Sequence, residues 1–323
     1  MGWVCALPIE LAAAQVMLDE EHQHLGQDPN DTNLYTLGRI GEHNVVIACL
    51  PAGQIGTNSA AAVAMQMKSA FPSIRVGVMV GIGGGVPSEE ADIWLGDVVV
   101  GQPHMGHGGV VQYDFGKATP SGFERTGFLN MPPAILLAAI AKIRANELIG
   151  KSSLSKRSSD LSDLPVFKRN TEPDTLYKAS YKHVGGSTCE SCSKDMVVRR
   201  RPRGSQEIVV HYGTIASGNL VIKDGTTRDM VSSEFGGVLC FEMEAAGLIN
   251  NFPCLVIRGI SDYADSHKNK KWQAYAAGTA AAYAKEVLST IPALEVSAIP
   301  STDDTMKQKT GTWVRLFKQP CQN

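Results

Sequence analysis

One apolar stretch near the carboxyl end of the chain constrains the fold more than any other feature of the sequence. Residues 254–260 form a largely apolar run with several β-branched side chains. A run of this kind is typical of a strand buried on both faces of a parallel sheet. Open α/β sheets bind ligands at the carboxyl ends of their strands. We therefore expect Ser261 and Asp262, which follow the run directly, to lie at a binding edge.

A second acidic residue is predicted to reach the same edge. A short helix begins near Met243 and ends at the Asn-Asn-Phe-Pro sequence of residues 250–253, because paired Asn residues and a Pro cannot continue it. Glu244, at the start of this helix, can face the same crevice as Asp262. Two carboxylates on neighbouring elements can together form a binding or catalytic site.

The amino terminus repeats the arrangement of a strand followed by an acidic residue. Residues 3–7 form a short apolar run, and Pro8 suits the first turn of a helix that we expect to extend to about Glu21. Glu10 therefore lies at a strand-to-helix junction on the same edge of the predicted sheet. From its position alone, the simpler interpretation of Glu10 is a carboxylate that stabilises the positive end of the helix dipole.

A glycine-rich sequence follows another predicted strand. Residues 76–80 are apolar and run into Gly-Ile-Gly-Gly-Gly at residues 81–85. The dinucleotide-binding fingerprint requires a helix directly after its glycines, whereas Val86-Pro87 and a polar loop follow here, which disfavours a dinucleotide-binding oxidoreductase. Two interpretations remain open, namely a tight turn with positive φ angles and a backbone that a ligand can approach closely.

Composition excludes several functional classes. The chain has 323 residues, 43% of them hydrophobic, and a formal net charge of −2, so we expect neither a nucleic-acid nor a membrane partner. No run of 18 or more apolar residues occurs, which predicts no membrane span. The seven cysteines lie mostly in apolar runs, as is typical of reduced thiols, and we expect a cytoplasmic protein.

The middle and the end of the chain have a different composition. Residues 151–205 are rich in Ser, Lys, Arg and Asp and lack long apolar runs, which predicts a surface insertion, much of it mobile. Within it, Cys189 and Cys192 have metal-ligand spacing with His183 nearby, but only three ligands are visible, so we expect no metal and no cofactor. Residues 293–323 are interpreted as a polar tail or linker.

Two pairs of motifs resemble known families. Phe-Glu-Met-Glu-Ala at residues 241–245 and Ile-Ser-Asp-Tyr-Ala-Asp at residues 260–265 resemble the signature of the nucleoside phosphorylase and nucleosidase superfamily. Residues 5–10 and 215–219 resemble the nucleoside phosphorylase domain at the front of fungal NLR-like proteins. The resemblance implies one α/β domain over residues 1–292, a three-layer α/β/α fold with a central twisted mixed sheet.

The resemblance also implies roles for individual residues in cleavage of a purine N-glycosidic bond. Glu10 would activate the attacking water, Glu244 would hold the ribose hydroxyls, and Asp262 would protonate the purine with Ser261 orienting it. This division between an acid and a base is that of an inverting glycosidase. The other implied substrate-binding residues are Met243, Glu242, Ile82, Gly83, Gly84, Asn219, Leu220 and Val221.

The resemblance leaves the nucleophile open between water and phosphate. Related phosphorylases bind phosphate with an Arg before the glycine loop and a Ser or Thr within it, where this chain has Met79 and Ile82. Neither side chain can bond phosphate, which favours hydrolysis of an adenine nucleoside. A nucleotide such as ATP is a further candidate substrate if Lys223, Arg228 or Arg39 reaches its phosphates.

A hypothesis from a different functional class remains open. The chain could be a catalytically inactive nucleoside sensor that signals through further C-terminal domains of an NLR-like protein, although the three acidic residues argue for an enzyme. Members of the superfamily are commonly oligomeric, so we expect a homo-oligomer.

Overall fold

The apolar stretch at residues 254–260 is the centre of the sheet. In the computed structural model, which describes residues 1–23, 26, 29–151, 154–203 and 207–299, the strand spans Cys254–Asp262 and all nine of its residues are buried. It pairs in parallel with Gly77–Gly85 on one side and antiparallel with Val98–Gly101 on the other. The expected buried strand is confirmed, and its two neighbouring strands run in opposite directions.

The described residues contain thirteen strands. They are β1 (Gly2–Cys5), β2 (Glu20–His22), β3 (Tyr35–Ile40), β4 (His43–Cys49), β5 (Gly77–Gly85), β6 (Val98–Gly101), β7 (Val110–Gln112), β8 (Gly116–Thr119), β9 (Gly122–Arg125), β10 (Val210–Gly213), β11 (Ile215–Ser217), β12 (Cys240–Glu242) and β13 (Cys254–Asp262).

Eight α-helices occur in the same part of the chain. They are α1 (Pro8–Val16), α2 (Thr57–Ala70), α3 (Ala134–Leu148), α4 (Leu154–Ser162), α5 (Gly225–Glu234), α6 (Ala245–Leu248), α7 (Gln273–Thr290) and α8 (Ala293–Ser297). Three short 3-10 helices lie in the insertion, at Pro165–Phe167, Cys189–Ser191 and Lys194–Met196.

Eleven of the described strands form one mixed sheet. Its main path runs β10-β6-β13-β5-β1-β4-β3-β2, and β12 joins β5 while β11 pairs with both β12 and β7. The central strands β4, β1, β5 and β13 are parallel to one another, whereas β3 runs antiparallel to β4, β6 to β13 and β12 to β5. The predicted mixed α/β sheet is confirmed.

Both faces of the sheet are covered by helices. Leu255 and Ile257 of β13 pack into a core shared with α1, α3, α4 and α7, whereas Val256 and Ile260 pack into a second core with α2 and α6. Because successive side chains of a strand point to opposite faces, an apolar run without alternation requires two such layers. The chain is therefore a three-layer α/β/α protein.

Helix α7 lies unusually close to β13. A Cβ atom added at Gly259 would lie 1.8 Å from the carbonyl oxygen of Ala276. The buried face of the helix is rich in alanine, including Ala277, Ala280 and Ala281. Small side chains on both elements thus allow the helix backbone to approach the strand.

Two predicted elements differ in extent. Helix α1 ends at Val16 rather than near residue 21, because the Asp19 N–H donates to the Arg39 carbonyl and Glu20–His22 forms an edge strand on β3. The glycines of residues 81–85 continue β5 instead of forming a loop, and none of them has a positive φ. The tight-turn interpretation is therefore wrong.

The insertion buries more than its composition suggested. In its described part, Leu161 and Phe167 pack against α7 in the main core, and Leu154 is also buried there. Arg200 donates to Asp174, to the Tyr263 hydroxyl and to the Ile93 carbonyl, and its side chain is only 10% exposed. A few apolar side chains and a paired arginine are enough to hold this segment on the domain without any long apolar run.

The predicted tail begins with structure. Helix α8 covers Ala293–Ser297, and Val296 is buried in the main core. Residues 300–323 lie outside the described part of the chain. Among the described helices, none combines the length and the apolar character that crossing a membrane requires.

We expect Gly259→Ala to destabilise the protein by about 1–3 kcal/mol or more, because the new methyl group meets the backbone of α7 and one of two packed elements must move. Urea unfolding of the variant and the wild type measures the difference. Gly186→Ala is the matched control, since nothing lies within 4 Å of a Cβ at that position. Equal stability of the Gly259 variant would contradict the close approach.

Candidate active site

A cleft opens where the carboxyl ends of β5 and β13 meet. Its volume is about 340 Å³, within the usual range for sites that bind small molecules. Among the residues that line it are Glu10, Ile82, Met243, Glu244, Ser261 and Lys268. The ends of the parallel strands β1, β5 and β13 and of β12, which runs antiparallel to β5, therefore bring distant parts of the chain together at the edge where open α/β sheets bind ligands.

A fully buried arginine lies beneath the cleft. Arg258 of β13 has no exposed surface, and its Nη2 makes a close ion pair with Glu242 Oε2. The same nitrogen lies 3.5 Å from Glu244 Oε2. An unpaired charge at this depth would be very unfavourable, so the carboxylates around Arg258 compensate its desolvation.

Glu10 is held by the backbone of two elements. Its Oε2 accepts hydrogen bonds from the N–H groups of Ala6 at 2.7 Å and Leu7 at 3.0 Å, and its Oε1 accepts one from Ile82 at 2.8 Å. Burial raises the pKa of Glu10, while Arg258 and these amides oppose the rise. A carboxylate with a raised pKa is suited to take a proton from water near neutral pH.

Glu244 lies at the start of α6 and faces the cleft. Its Oε1 accepts a hydrogen bond from the Gly56 N–H at 3.3 Å. Burial, opposed by Arg258, raises the pKa of Glu244 to about 7. The carboxylate therefore gains or loses its charge close to physiological pH.

Asp262 has three polar contacts at the end of β13. The Ser261 hydroxyl donates to Oδ2 at 2.8 Å, the Ala264 N–H donates to Oδ1 at 3.0 Å, and Lys268 Nζ lies 3.1 Å from Oδ2. The predicted contact between Ser261 and Asp262 is thus present. The carboxyl group has a fixed orientation, with one edge towards Gly84 at the floor of the cleft.

The glycines of β5 leave room for these acidic side chains. A Cβ at Gly81 would lie 2.5 Å from Arg258 Nη1 and 2.6 Å from Glu10 Oε1, and a Cβ at Gly84 would lie 2.9 Å from Asp262 Oδ1. Side chains from neighbouring elements therefore cross the strand at the two positions where it has none. The glycines are therefore explained by close approach to the β5 backbone, and the groups that approach it are the side chains of Arg258, Glu10 and Asp262.

Most of the residues predicted for the site line one cleft. Beyond those already named, the cleft is bordered by Gly83, Leu220 and Val221. Glu242 also borders it, but its carboxylate is occupied by Arg258 and by the N–H groups of Glu244 and Ala245.

Asn219 has a different contact. Its Oδ1 accepts from both the N–H and the hydroxyl of Thr57 at 3.0 Å, so it caps α2 rather than lining the cleft.

Several residues at the cleft were not anticipated. Arg258 lies inside an apolar run and belongs to neither family motif, although a charged residue in a buried strand signals a buried partner. Phe241, Lys268 and Lys270 also line the cleft. The lysines follow β13 in a polar segment that carries no pattern of its own.

Of the three cations considered for phosphate binding, one reaches the cleft. Lys223 lines it. Arg228 donates to the Tyr263 carbonyl and to Asp229, and Arg39 pairs with Glu20 at the sheet edge.

Comparison with known proteins identifies relatives across most of the chain. Residues 1–291 match the phosphorylase superfamily. A nucleotide-binding leucine-rich repeat (NLR)-like protein of Hyaloscypha variabilis is 49% identical over 295 residues, which cover 90% of this chain and 29% of the relative. A 5'-methylthioadenosine/S-adenosylhomocysteine nucleosidase of Mycobacterium bovis is 26% identical over 300 residues, 91% of this chain and 97% of that protein. The family resemblance of the sequence motifs is confirmed.

Two other similarities are more distant. The ATP nucleosidase Cap17 of Escherichia coli is 25% identical over 286 residues, 85% of this chain and 48% of that protein. The crystal structure of a 5'-methylthioadenosine/S-adenosylhomocysteine nucleosidase from Neisseria meningitidis superposes with a TM-score of 0.58 at 16% identity, covering 90% of this chain and 98% of that chain. The chain thus spans under a third of the NLR-like relative and about half of Cap17, and the structural likeness reflects a shared fold.

The pKa of Glu244 predicts a pH-dependent stability. A folded-state pKa raised from 4.5 to about 7 stabilises the fold below pH 4.5, and that contribution is lost as pH rises to about 7. At about 1.4 kcal/mol per pH unit, the loss is roughly 3 kcal/mol. We therefore expect Glu244→Gln to gain stability relative to the wild type between pH 4.5 and 7 in urea unfolding. The exposed Glu124→Gln is the control, and parallel curves for the Glu244 variant and the wild type would contradict the assignment.

Proposed function

Because the chain belongs to the phosphorylase superfamily, we propose that it hydrolyses the N-glycosidic bond of an adenine nucleoside or nucleotide and releases the free base. The observation that carries the proposal is that Glu10 and Glu244 line one cleft, with Asp262 against its floor at Gly84. The bacterial relatives named as nucleosidases support the same class of reaction.

The three carboxyl groups divide the work of the reaction. Breaking the bond places positive charge on the sugar and negative charge on the departing purine. Glu10 takes the proton of the attacking water, Glu244 binds the sugar hydroxyls and stabilises the positive charge, and Asp262 donates a proton to the base. Met243 packs on the sugar from the same loop as Glu244.

The cleft favours water over phosphate as the nucleophile. Met79 is fully buried in the core, and Ile82 presents an apolar side chain. Arg258 is already paired with Glu242 and lies near Glu244, so its charge is neutralised. Arg75 donates to the Ile299 carbonyl at 2.6 Å, at the opposite end of the sheet. Phosphate would find no available arginine among the described residues beside Glu10.

Product analysis tests the reaction directly. The full chain is incubated with adenosine and with ATP, with and without inorganic phosphate, and the released adenine and sugar are identified. We expect adenine and a sugar without a phosphate at C1, whether or not inorganic phosphate is present. A sugar 1-phosphate formed only with phosphate would establish phosphorolysis instead, and binding without adenine release would support an inactive sensor.

We expect Asp262→Asn to lower kcat by about 10²-fold or more, because the variant cannot donate the proton to the purine. Its unfolding and its affinity for an adenine nucleoside should remain close to those of the wild type. Asp195→Asn, which removes an exposed carboxylate, is the matched control. A fully active Asp262 variant would refute the proposed acid.

A lysine rim supports a phosphorylated substrate. Lys223, Lys268 and Lys270 border the cleft above its acidic floor, where they could contact phosphates attached to the sugar, and the name of Cap17 specifies ATP as the substrate of that relative. We expect the double variant Lys223→Gln, Lys270→Gln to raise the KM for ATP about tenfold, since a charge-assisted hydrogen bond contributes roughly 1.5 kcal/mol. The KM for adenosine should not change, and the exposed Lys117→Gln serves as control. Equal effects on both substrates would rule out phosphate recognition by these lysines.

A further inference from the structure

The insertion brings three metal-ligating side chains together outside the cleft. One ligand atom from each of His183, Cys189 and Cys192 lies within 4.8 Å of the other two. Cys192 is buried, while His183 and Cys189 are partly exposed, so the cluster is accessible from solvent. The two cysteines are free thiols.

The orientation of His183 suits a ligand. Its Nε2 lies 3.0 Å from the carbonyl oxygen of Thr188. A carbonyl can only accept a hydrogen bond, so Nε2 carries the proton and Nδ1 keeps its lone pair. Metal-bound histidines are commonly oriented by such a bond from the other ring nitrogen. The backbone N–H of His183 also donates to the Ser266 hydroxyl at 2.9 Å, which fixes the cluster against the segment after β13.

A fourth candidate ligand comes from that segment. His267 is 8% exposed, and neither ring nitrogen has a hydrogen-bond partner among the described residues. Its ring stacks on Tyr177 at 4.0 Å, and its centroid lies 5.5 Å from that of His183 in an edge-on arrangement. Asp265 Oδ2 lies 3.5 Å from His267 Nδ1, so Nε2 is the nitrogen that remains for a metal. Buried polar atoms are rarely left without a partner, and a metal would provide one.

We propose that His183, Cys189 and Cys192 bind a Zn²⁺ ion and that His267, whose ring nitrogens lie outside the group of atoms within 4.8 Å of one another, moves towards the ion to supply the fourth ligand. Two thiolates and two imidazoles are the donor set of closed, tetrahedral structural zinc sites. On binding, the two thiols release their protons to solvent, and the two thiolates balance the charge of the ion. Asp265 lies behind His267 as carboxylates do behind zinc-bound histidines.

The position of this site gives it a structural role. It joins the insertion to the segment that follows β13 and carries Lys268, which contacts Asp262 at 3.1 Å. The ion would therefore hold the border of the cleft without touching a substrate. The sequence alone predicted no metal, because the fourth ligand, His267, lies 75 positions after Cys192 in the chain.

Metal analysis of the intact chain tests the proposal. The purified protein is stripped with a chelator under reducing conditions and titrated with Zn²⁺ or Co²⁺. We expect one equivalent of metal, and a cobalt spectrum with sulfur-to-metal charge-transfer absorption and the intense visible bands of tetrahedral coordination. Cys189→Ser and His183→Gln should each weaken binding at least tenfold, whereas the exposed His104→Gln should not.

His267→Gln tests the fourth ligand separately. We expect it to weaken metal binding about 10- to 100-fold while the sulfur-to-cobalt absorption persists. Unchanged affinity would remove His267 from the site. Absence of stoichiometric metal, or an intact cobalt spectrum in Cys189→Ser, would overturn the proposal. Formation of a Cys189–Cys192 disulfide without reductant, even when Zn²⁺ is added, would also overturn it. None of these measurements depends on glycosidic cleavage, so failure here and failure of the proposed enzyme activity are distinguishable.

Discussion

The candidate site depends on the burial of one positive charge. Arg258 lies in the central strand without solvent contact, and Glu242 and Glu244 lie against its guanidinium group. The carboxylate of Glu10, in α1, also interacts electrostatically with this guanidinium group. The arginine makes it possible to place several carboxylates under one cleft, since mutual repulsion and desolvation would otherwise drive them to protonate. The acidic groups in turn make it possible to bury the arginine.

This balance has a steric condition, which β5 meets. A side chain at Gly81 would occupy the space in which Arg258 and Glu10 approach each other, and one at Gly84 would displace Asp262. The remaining contacts of Glu10 come from amides of the β1–α1 junction and from Ile82, so the carboxylate of the proposed base is held by backbone groups rather than by mobile side chains. Groups held in this way need little reorganisation during a reaction.

A second charged network supports the strand from outside the cleft. Arg200 of the insertion bonds to Asp174 and to Tyr263, the residue directly after Asp262. The Tyr263 hydroxyl donates to Asp174 at 2.6 Å. The insertion is therefore attached to the end of the strand that carries the proposed acid. The candidate zinc cluster joins the insertion to the stretch that follows this strand, through His267.

The sequence alone was sufficient for the architecture and for the positions of three acidic residues in it. Continuous apolar runs, Pro and Asn breaks and family motifs are local signals, and they placed Glu10, Glu244 and Asp262 at strand ends that the topology gathers at one edge. It did not reveal that Arg258 unites the carboxylates, that Asn219 caps a helix, or that His267 joins a cysteine pair. Those facts depend on distances between residues far apart in the chain, which only the packing of the sheet and its layers decides.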